Sequence, residues 1–348
     1  MTAGRAPDFD TAALGAYLAR HIDGLRAPIE ATRFAGGQSN PTDLLTDAQG
    51  WRFVLRRKPG GALLASAHAI DREYRVASAL AGSTVPVPRM HCYCDDPSVI
   101  GMAFYVMAHV DGRIFWDPAL PELPPAERAA LYADVNRVVA GLHRLDVRAI
   151  GLEDFGRPGN YFERQIARWT RQYRAAETEP IAAMERLIAW LPAHVPATGP
   201  ATLVHGDLRI DNMIVHPTEP RVVALIDWEL STLGHPLADF AYHLLPWRLT
   251  SEQFRGMAEK SPLPEGVPSE AGYVARYDTA MGTATDPQAL EFAIAHAMFR
   301  MAAILQGIHR RARDGNASSA EGLAVGARAR RIADAAWAQV QQHFADAR

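Results

Sequence analysis

The sequence predicts an α+β fold of two lobes: a small N-terminal lobe with an antiparallel sheet plus one helix, and a larger, mainly helical C-terminal lobe. Before residue 110 the chain contains short runs in which apolar and polar residues alternate, a pattern typical of strands. After Gly112 it instead repeats apolar residues at helical spacing over long segments. We therefore predict a boundary near residue 110, with residues 1–110 in the first lobe and residues 111–348 in the second.

The composition is that of an ordinary water-soluble protein. The chain has 348 residues, of which 48% are hydrophobic and 22% charged, and this length suits two lobes. A formal net charge of −3 gives a nucleic-acid partner no electrostatic support. No apolar run approaches the ~18 residues of a membrane-spanning helix, and MTAGRAPDFD is not a signal peptide. We expect a cytoplasmic protein without membrane attachment.

The two cysteines, Cys92 and Cys94, are too few for a disulfide framework and too closely spaced for an ordinary bridge. A metal site would enlist His91 as well. Ligands crowded into one short predicted strand would, however, point to opposite faces of the sheet. We therefore expect reduced, partly buried thiols.

The stretch from Leu203 to Asp239 carries two acids and an amide at a spacing typical of phosphoryl transfer. Asp207 follows an apolar run and a His-Gly pair, Asn212 comes five residues later, and Asp227 ends a second apolar run. Phosphoryl transfer needs little covalent help, but charge must be neutralised and the attacking oxygen aimed. We predict that Asp207 accepts or orients the proton of an acceptor hydroxyl. Asn212 and Asp227 are predicted to hold Mg²⁺, which takes few protein oxygens. The alternative is a hairpin whose polar residues only form turns.

The motif HGDLRIDN, followed by IDWE and GHPLADFAYHL, resembles the aminoglycoside phosphotransferase and choline kinase-like family of small-molecule kinases. Other segments are similar to the N-terminal kinase-like domain of acyl-CoA dehydrogenase family members 10 and 11. They include FAGGQSN, FVLRRKPGG, YVMAHVDGR and NYFERQIARWTRQY, and with the motif they span most of residues 30 to 245. The resemblance implies a protein-kinase-like two-lobed fold, a nucleotide-binding first lobe and a catalytic, substrate-binding second lobe. It also implies ATP and Mg²⁺ as cofactors, although the sequence does not distinguish ATP from GTP.

Residues of the first lobe are predicted to bind the nucleotide. The loop with Gly36, Gly37 and Ser39 lies where it would cover the phosphates, because glycines permit close backbone approach. A plain hairpin turn is the alternative for this loop alone. In the strand WRFVLRRKP, the kinase V-A-I-K pattern directs Arg56 toward the phosphates in place of the usual lysine. Lys58, on the same face, is the reserve candidate.

Two further nucleotide contacts come from the same comparison. Glu73, on a helix predicted over residues 66–80, matches the glutamate that pairs with the strand cation in kinases. A solvated surface glutamate is the alternative. The resemblance also places the hinge at Met107 to His109, where main-chain groups would bond to the adenine edge.

The second lobe is predicted to shape the acceptor site. Helices are expected over residues 161–176, 269–282, 287–312 and 319–346, with a loop at SPLPEGVPSE. The first of these helices places Arg164, Arg168 and Arg171 on one basic stripe among aromatic residues. Solvated charges are the alternative. Arginines grip phosphates and aromatics stack on rings, so this stripe suits a phosphate-bearing acceptor.

The resemblance to the acyl-CoA dehydrogenase-associated branch implies a small-molecule acceptor, a hydroxyacyl thioester of coenzyme A or a free hydroxy acid. An aminoglycoside or amino-alcohol kinase is one competing interpretation. A pseudokinase that binds nucleotide without turnover is another, favoured by arginine at position 56. Protein phosphorylation is not expected, because the short interval from Asp227 to Asp239 leaves no room for an activation segment. Asp239 is predicted to bond main-chain groups beneath the catalytic loop.

Overall fold

The structure, a computed structural model, describes residues 7–34, 40–59, 70–157, 159–197, 199, 201–314 and 322–345. The chain forms two compact units. The first unit comprises Met1–Gly112 with Val223–Ser231, and the second comprises Arg113–Val222 with Thr232–Arg348. The segment Val223–Ser231 lies on the C-terminal side of the boundary predicted from the sequence, so the first unit includes a piece of chain from far downstream.

The first unit is built on a five-stranded antiparallel sheet with the strand order β1-β2-β3-β5-β4. The central strand β3 pairs on both sides, with Val54 opposite Leu44 of β2 and Met107 of β5. The elements of this unit are α1 Thr11–His21, β1 Glu30–Arg33, β2 Thr42–Thr46, β3 Arg52–Arg57, α2 Ile70–Ala79, β4 Met90–Cys94, α3 Pro97–Ile100 and β5 Phe104–Ala108. The predicted sheet and helix are therefore present, although residues 66–69 of the helix predicted over 66–80 lie outside the described residues.

One face of this sheet buries a core against α1. Asp10 caps this helix by accepting the N–H groups of Ala12 and Ala13. The core side chains include Leu14 and Leu18 of α1, Phe53 and Leu55 of β3, Phe104 and Val106 of β5, and both cysteines. Cys92 and Cys94 are free and buried, and burial raises the pKa of Cys92 to about 11. The Cys92 thiol therefore stays protonated and unreactive near neutral pH.

The second unit is mainly helical. The long helix α10 packs against α5, α7, α11 and α12, so it forms the centre of the unit. A two-stranded antiparallel sheet of β6 and β9 lies beside the catalytic stretch. The elements after residue 112 are α4 Pro125–His143, α5 Tyr161–Ala176, α6 Ala182–Trp190, β6 Thr202–Val204, β7 Met213–Val215, β8 Val222–Leu225, β9 Thr232–Gly234, α7 Pro236–Arg248, α8 Ser251–Phe254, α9 Glu270–Met281, α10 Pro287–Arg313, α11 Gly322–Gly326 and α12 Arg328–His343. The predicted α+β class is confirmed.

The helix predictions differ from the structure in two places. The last predicted helix, over residues 319–346, is divided at Ala327 into α11 and α12. Helix α6 was not predicted, because it is short and its first residue follows Ile181, which provides no side-chain cap.

Helix α10 is long and apolar enough to cross a membrane by length and composition alone. The sequence analysis found no such run because Glu291 and Arg300 interrupt the apolar residues. In the structure 83% of its most apolar window is buried within the fold, as in the core helix of a globular protein.

Two buried histidines predict that stability falls in mild acid. Burial lowers the pKa of His243 to about 4 and that of His296 to about 3. Histidine titrates near ~6.5 in an unfolded chain, so below that pH the unfolded state binds protons that the folded state does not. The free energy of unfolding should therefore be fully present above pH ~6.5 and decrease toward pH ~4.

The measurement is urea unfolding of the wild type and of His296→Leu at pH values between 7.5 and 4.5. The variant should lose stability less steeply with falling pH, by up to one proton in the linkage slope. Parallel slopes for the two proteins would contradict this account of His296.

Candidate active site

Arg56 in the first unit lies among three carboxylates. Its Nε atom is 2.7 Å from Glu73 Oε2, and its Nη2 atom is 2.6 Å from Asp227 Oδ1 and 3.6 Å from Glu229 Oε2. The Nε atom makes no hydrogen bond of good geometry, so its contact with Glu73 is an ion pair only. The Arg56 side chain is 11% exposed. One guanidinium therefore lies within reach of three carboxylates.

Glu73 is not the solvated surface residue that the sequence left as an alternative. It is 2% exposed, and its carboxylate accepts hydrogen bonds from Asn40 Nδ2 at 2.7 Å and from the Tyr105 hydroxyl at 3.0 Å. Burial raises the pKa of Glu73 although Arg56 opposes the rise, and the negative charge of Asp227 adds to it. The acidic side of this cluster is therefore not fully neutralised by Arg56.

Asp227 is held in a backbone conformation that few residues adopt. It follows β8, and its φ of 69° lies in the left-handed region, at the start of a single helical turn over Trp228–Leu230. This region is unfavourable for residues with a Cβ, and non-glycine residues found there are concentrated at functional sites. Such a strained backbone is expected where the direction of the side chain, here the Asp227 carboxylate, is important for function.

Asp207 lies in the second unit, on the loop between β6 and the turn Ile210–Asn212. Asn212 Nδ2 donates to the Asp207 carbonyl at 2.7 Å and to its Oδ2 at 3.1 Å, and Arg209 Nη2 lies 3.1 Å from the same Oδ2. Since Nδ2 faces Asp207, the Asn212 oxygen remains as its group for a metal. The structure therefore brings Asp207 and Asn212 together.

The electrostatic environment keeps Asp207 ionised. Burial would raise its pKa, but the positive charge of Arg209 and smaller contributions from His205 and Arg300 hold the pKa of Asp207 below its ordinary value. The Tyr242 hydroxyl also hydrogen-bonds this carboxylate. An ionised carboxylate accepts hydrogen bonds without donating any, so Asp207 is suited to receive the hydrogen of a hydroxyl group.

Asp239 anchors the catalytic loop, as the sequence predicts. Its carboxylate accepts the main-chain N–H groups of His205 and of Gly206, the latter at 2.8 Å. On the other side of the loop, Arg300 Nη2 donates to the Gly206 carbonyl. Burial would raise the pKa of Asp239, but His143 holds it below its ordinary value, with further contributions from His205 and the Gly206 N–H.

The sequence did not identify three residues that lie around Asp207. Arg209 stands inside the HGDLRIDN motif and could have been recognised there. Arg300 is a buried arginine within the apolar helix α10, and that unusual setting was its only signal. Tyr242 had no local signal, because a tyrosine in an apolar helix is ordinary core composition.

The predicted basic stripe on α5 is only partly available. Arg164 is used locally, because it donates to the carbonyls of Gly159 and, at 2.6 Å, of Arg157. Arg168 and Arg171 have no ion-pair partner within the described part of the chain. Burial lowers the pKa of Arg168, and the cations Arg300 and Arg171 lower it further. The prediction is therefore corrected: the cluster of cations consists of Arg168, Arg171 and Arg300, and Arg164 is not part of it.

The hinge prediction also needs correction. Met107 lies inside the sheet, paired with Val54 and with Met90. The Ala108 N–H donates to the Arg89 carbonyl at 2.8 Å, and the His109 N–H donates to the Arg52 carbonyl at 3.3 Å. These two N–H groups are occupied by the sheet and are not donors for an adenine. Gly36, Gly37 and Ser39 lie outside the described residues.

No cluster of three or more His, Cys, Asp or Glu side chains within the described residues has the arrangement of a metal site. Magnesium is usually held by one or two carboxylates together with water and phosphate. Asp227 in the first unit and the Asn212 oxygen in the second are each hard oxygen ligands, the chemical type that this ion takes.

Comparison with known proteins identifies relatives. The profile of the phosphotransferase enzyme family matches residues 30–265. Acyl-CoA dehydrogenase family member 10 of Mus musculus is 46% identical over 89% of this chain, and member 11 of Homo sapiens is 42% identical over 89%. The chain spans only 29% and 40% of the length of these two relatives.

Solved structures agree on the architecture. A protein from Ralstonia eutropha, named provisionally as an aminoglycoside phosphotransferase, superposes with a TM-score of 0.87 at 49% identity, covering 96% of this chain and 99% of its own. The GDP complex of wild-type aminoglycoside 2'-phosphotransferase-IIIa superposes with a TM-score of 0.62 at 14% identity, covering 94% of this chain and 99% of its own. The fold is therefore kinase-like.

Replacing the loop anchor should destabilise the second unit. Asp239→Asn leaves one oxygen where two main-chain N–H groups need acceptors, so one buried donor loses its partner. We expect a loss of about 1–3 kcal/mol in the free energy of unfolding. Urea denaturation measures it, with Asp334→Asn, an exposed aspartate on α12, as the matched control. Equal losses in the two variants would show that Asp239 does not anchor the loop.

Proposed function

The chain belongs to the phosphotransferase enzyme family, and from that membership we propose that it transfers the terminal phosphoryl group of ATP to a hydroxyl of a small molecule, with Mg²⁺ bound. The observation that carries this proposal is Asp207, an ionised carboxylate held by Asn212 and Arg209 on a loop that Asp239 anchors. The neighbours support the kinase-like fold, and a GDP complex among them supports a bound nucleotide.

Asp207 orients the acceptor hydroxyl and takes its proton. As the hydroxyl oxygen bonds to the γ-phosphorus, the bond from that phosphorus to the β–γ bridging oxygen breaks and ADP leaves. Because its pKa is lowered, Asp207 is a weak base. Its main contribution is therefore to aim the hydroxyl, with the proton arriving once the oxygen has become acidic through bonding to phosphorus.

Magnesium, when bound, neutralises phosphate charge and aligns the transferring group. We assign Asn212 as one ligand through its side-chain oxygen, because its nitrogen already donates to Asp207. We assign Asp227 as the other ligand, because it follows the short strand β8 and offers a carboxylate, the hard oxygen group that magnesium takes.

Arg56 is the proposed phosphate contact of the first unit. A guanidinium carries five N–H donors, and the contacts with Glu73 and Asp227 use those on Nε and Nη2. The donors on Nη1 remain for a phosphate, which arginine grips well. Buried Glu73 fixes the guanidinium in place. Gly36, Gly37 and Ser39 stay predictions for the phosphate-covering loop, and Met107 and His109 stay predictions for the adenine, without the two N–H groups that the sheet uses.

For the acceptor we propose a hydroxyacyl thioester of coenzyme A or a free hydroxy acid. The names of the curated relatives refer to acyl-CoA dehydrogenases, which points to acyl chemistry. Arg168 and Arg300 both lie over the Trp169 ring, at 5.3 and 5.5 Å from its centroid, and the Nε atom of Arg300 is buried without a hydrogen-bond partner in the described structure. These cations favour an anionic acceptor, whereas a polycationic aminoglycoside would be repelled.

A second candidate is a nucleotide-binding module without turnover. One contact favours it, because Arg56 binds Asp227 directly at an oxygen that a metal would use. Turnover in the presence of an acceptor separates the two functions.

Replacing the catalytic carboxylate should abolish turnover while leaving the nucleotide bound. In Asp207→Asn the amide no longer accepts the proton, and we expect ATP consumption with an acceptor to fall by about 10²–10⁴-fold. Coupled measurement of ADP release gives the rate, and titration calorimetry gives the ATP affinity. Asp278→Asn in α9 serves as control. An unchanged rate for Asp207→Asn would reject the mechanism.

The acceptor class is tested by ADP release over hydroxyacyl-CoAs, free hydroxy acids, choline-like alcohols and aminoglycosides. We expect a response to hydroxyacyl-CoA whose KM rises at least tenfold when Arg168 and Arg171 are both changed to Gln, about 1.4 kcal/mol or more. Arg174→Gln is the matched control, because Arg174 is on the same helix but pairs with Glu185. A response to aminoglycosides alone, or an unchanged KM in the double variant, would reject this acceptor.

A further inference from the structure

Four side chains of alternating charge form a row in the second unit that ends at Asp207. In order, they are Arg255, Asp211, Arg209 and Asp207. Arg255 Nη1 donates to Asp211 Oδ2, and Arg209 Nη2 lies 3.5 Å from that same oxygen. The side chain of Arg255 is 40% exposed, whereas that of Asp211 is 6% exposed. The row therefore connects a cation near the surface with the proposed catalytic carboxylate through a buried acid.

Arg209 has few contacts that hold its guanidinium beside Asp207. Its Nη2 atom donates to Asp207 Oδ2 at 3.1 Å and reaches Asp211 at ion-pair distance only. Its Nε atom is buried without a hydrogen-bond partner in the described part of the chain, and its Cζ atom is 5.9 Å from the centroid of the Phe254 ring. One nitrogen thus faces two carboxylates. The position of Arg209 therefore depends on how strongly each carboxylate attracts it.

The backbone around Arg255 directs its side chain toward Asp211. Arg255 follows the last residue of α8 with a φ of 44°, in the left-handed region that is unfavourable for a residue with a Cβ. The next residue, Gly256, lies so close to the Leu249 carbonyl that a Cβ would not fit there. The Arg255 guanidinium also lies 4.7 Å from the centroid of the Trp116 ring. The turn and the ring together restrict where this cation can lie.

Asp211 requires a cation, because a buried carboxylate without a partner is strongly destabilising. With Arg255 in place, Asp211 has its partner and Arg209 remains hydrogen-bonded to Asp207. Without Arg255, the guanidinium of Arg209 is already 3.5 Å from Asp211 and would move onto it. Asp207 would then keep the hydrogen bond from Asn212 and lose the one from Arg209.

We propose that Arg255 is a positioning residue for phosphoryl transfer: it neutralises Asp211 and so leaves Arg209 on Asp207. The assignment rests on the proposed function, because it requires Asp207 to orient the acceptor hydroxyl. It differs from a structural role in one respect. The damage caused by removing Arg255 comes from the charge of Asp211, so it should disappear when that charge is also removed.

A double-mutant cycle on kcat tests this dependence, with ATP and the hydroxyacyl-CoA, hydroxy acid, choline or aminoglycoside that the wild type turns over. Arg255→Gln should lower kcat about tenfold in the wild type but less than about twofold in an Asp211→Asn background, with KM for ATP unchanged in both. Arg221→Gln removes an arginine that is 50% exposed and paired with Glu219, and this control should leave kcat unchanged. Equal factors for Arg255→Gln in the two backgrounds would overturn the assignment.

Urea unfolding gives a second measurement that does not depend on turnover. Arg255→Gln should increase the equilibrium constant of unfolding more in an Arg209→Gln background than in the wild type, by about fivefold or more, because Asp211 then loses both arginines of the row. If no acceptor supports ADP release by the wild type, the proposed function falls and this cycle alone decides the assignment. A larger effect in the Arg209→Gln background supports it, and equal effects in the two backgrounds overturn it.

Discussion

The position of the loop that carries Asp207 in the second unit depends on one buried carboxylate. Asp239, in the first turn of α7, accepts two consecutive main-chain N–H groups, those of His205 and Gly206. Either group would cost about 1–3 kcal/mol if it were buried without a partner. Gly206 itself has a φ of 85°, which a residue with a side chain adopts only with strain. The Asp239 carboxylate therefore fixes the direction of the Asp207 side chain, although Asp239 has no part in the proposed reaction.

Like charges lie close together in each unit. In the first unit the carboxylates of Glu73, Asp227 and Glu229 lie around Arg56, and Glu73 is buried. In the second unit Arg168 and Arg300 lie over the same Trp169 ring. Repulsion between like charges raises the free energy of such a cluster, and a bound ion of the opposite sign lowers it. The proposed metal and the proposed anionic acceptor are ions of those two signs.

Local features of the fold were predictable, whereas contacts between distant segments were not. The limits of α5 follow from a pattern within a few residues, and so does the Asp10 cap. The anchoring role of Asp239 is an exception, since it was predicted although the contact joins residues 34 positions apart. Glu73 could be matched to a motif, but its burial depends on Tyr105, which reaches it from another strand. For Arg164 the predicted position on the helix face was right. Its N–H donors are nevertheless occupied, because two carbonyls of the preceding loop accept hydrogen bonds from it. The spacing of residues shows which side chains share a helix face, but it does not show which other groups of the protein bind to those side chains.

The downstream segment Val223–Ser231 has a consequence for how the protein is made. It belongs to the first unit, where the Leu225 N–H donates to the Pro86 carbonyl at 2.8 Å and Asp227 binds Arg56. Ribosomes add ~5–20 residues per second, so the sheet of the first unit is synthesised on the order of ten seconds before this segment. During that interval the first unit lacks one of its segments, and Arg56 lacks the Asp227 carboxylate. A fragment that ends near residue 112 would lack both permanently, so the complete first unit cannot be isolated by cutting the chain at a single position.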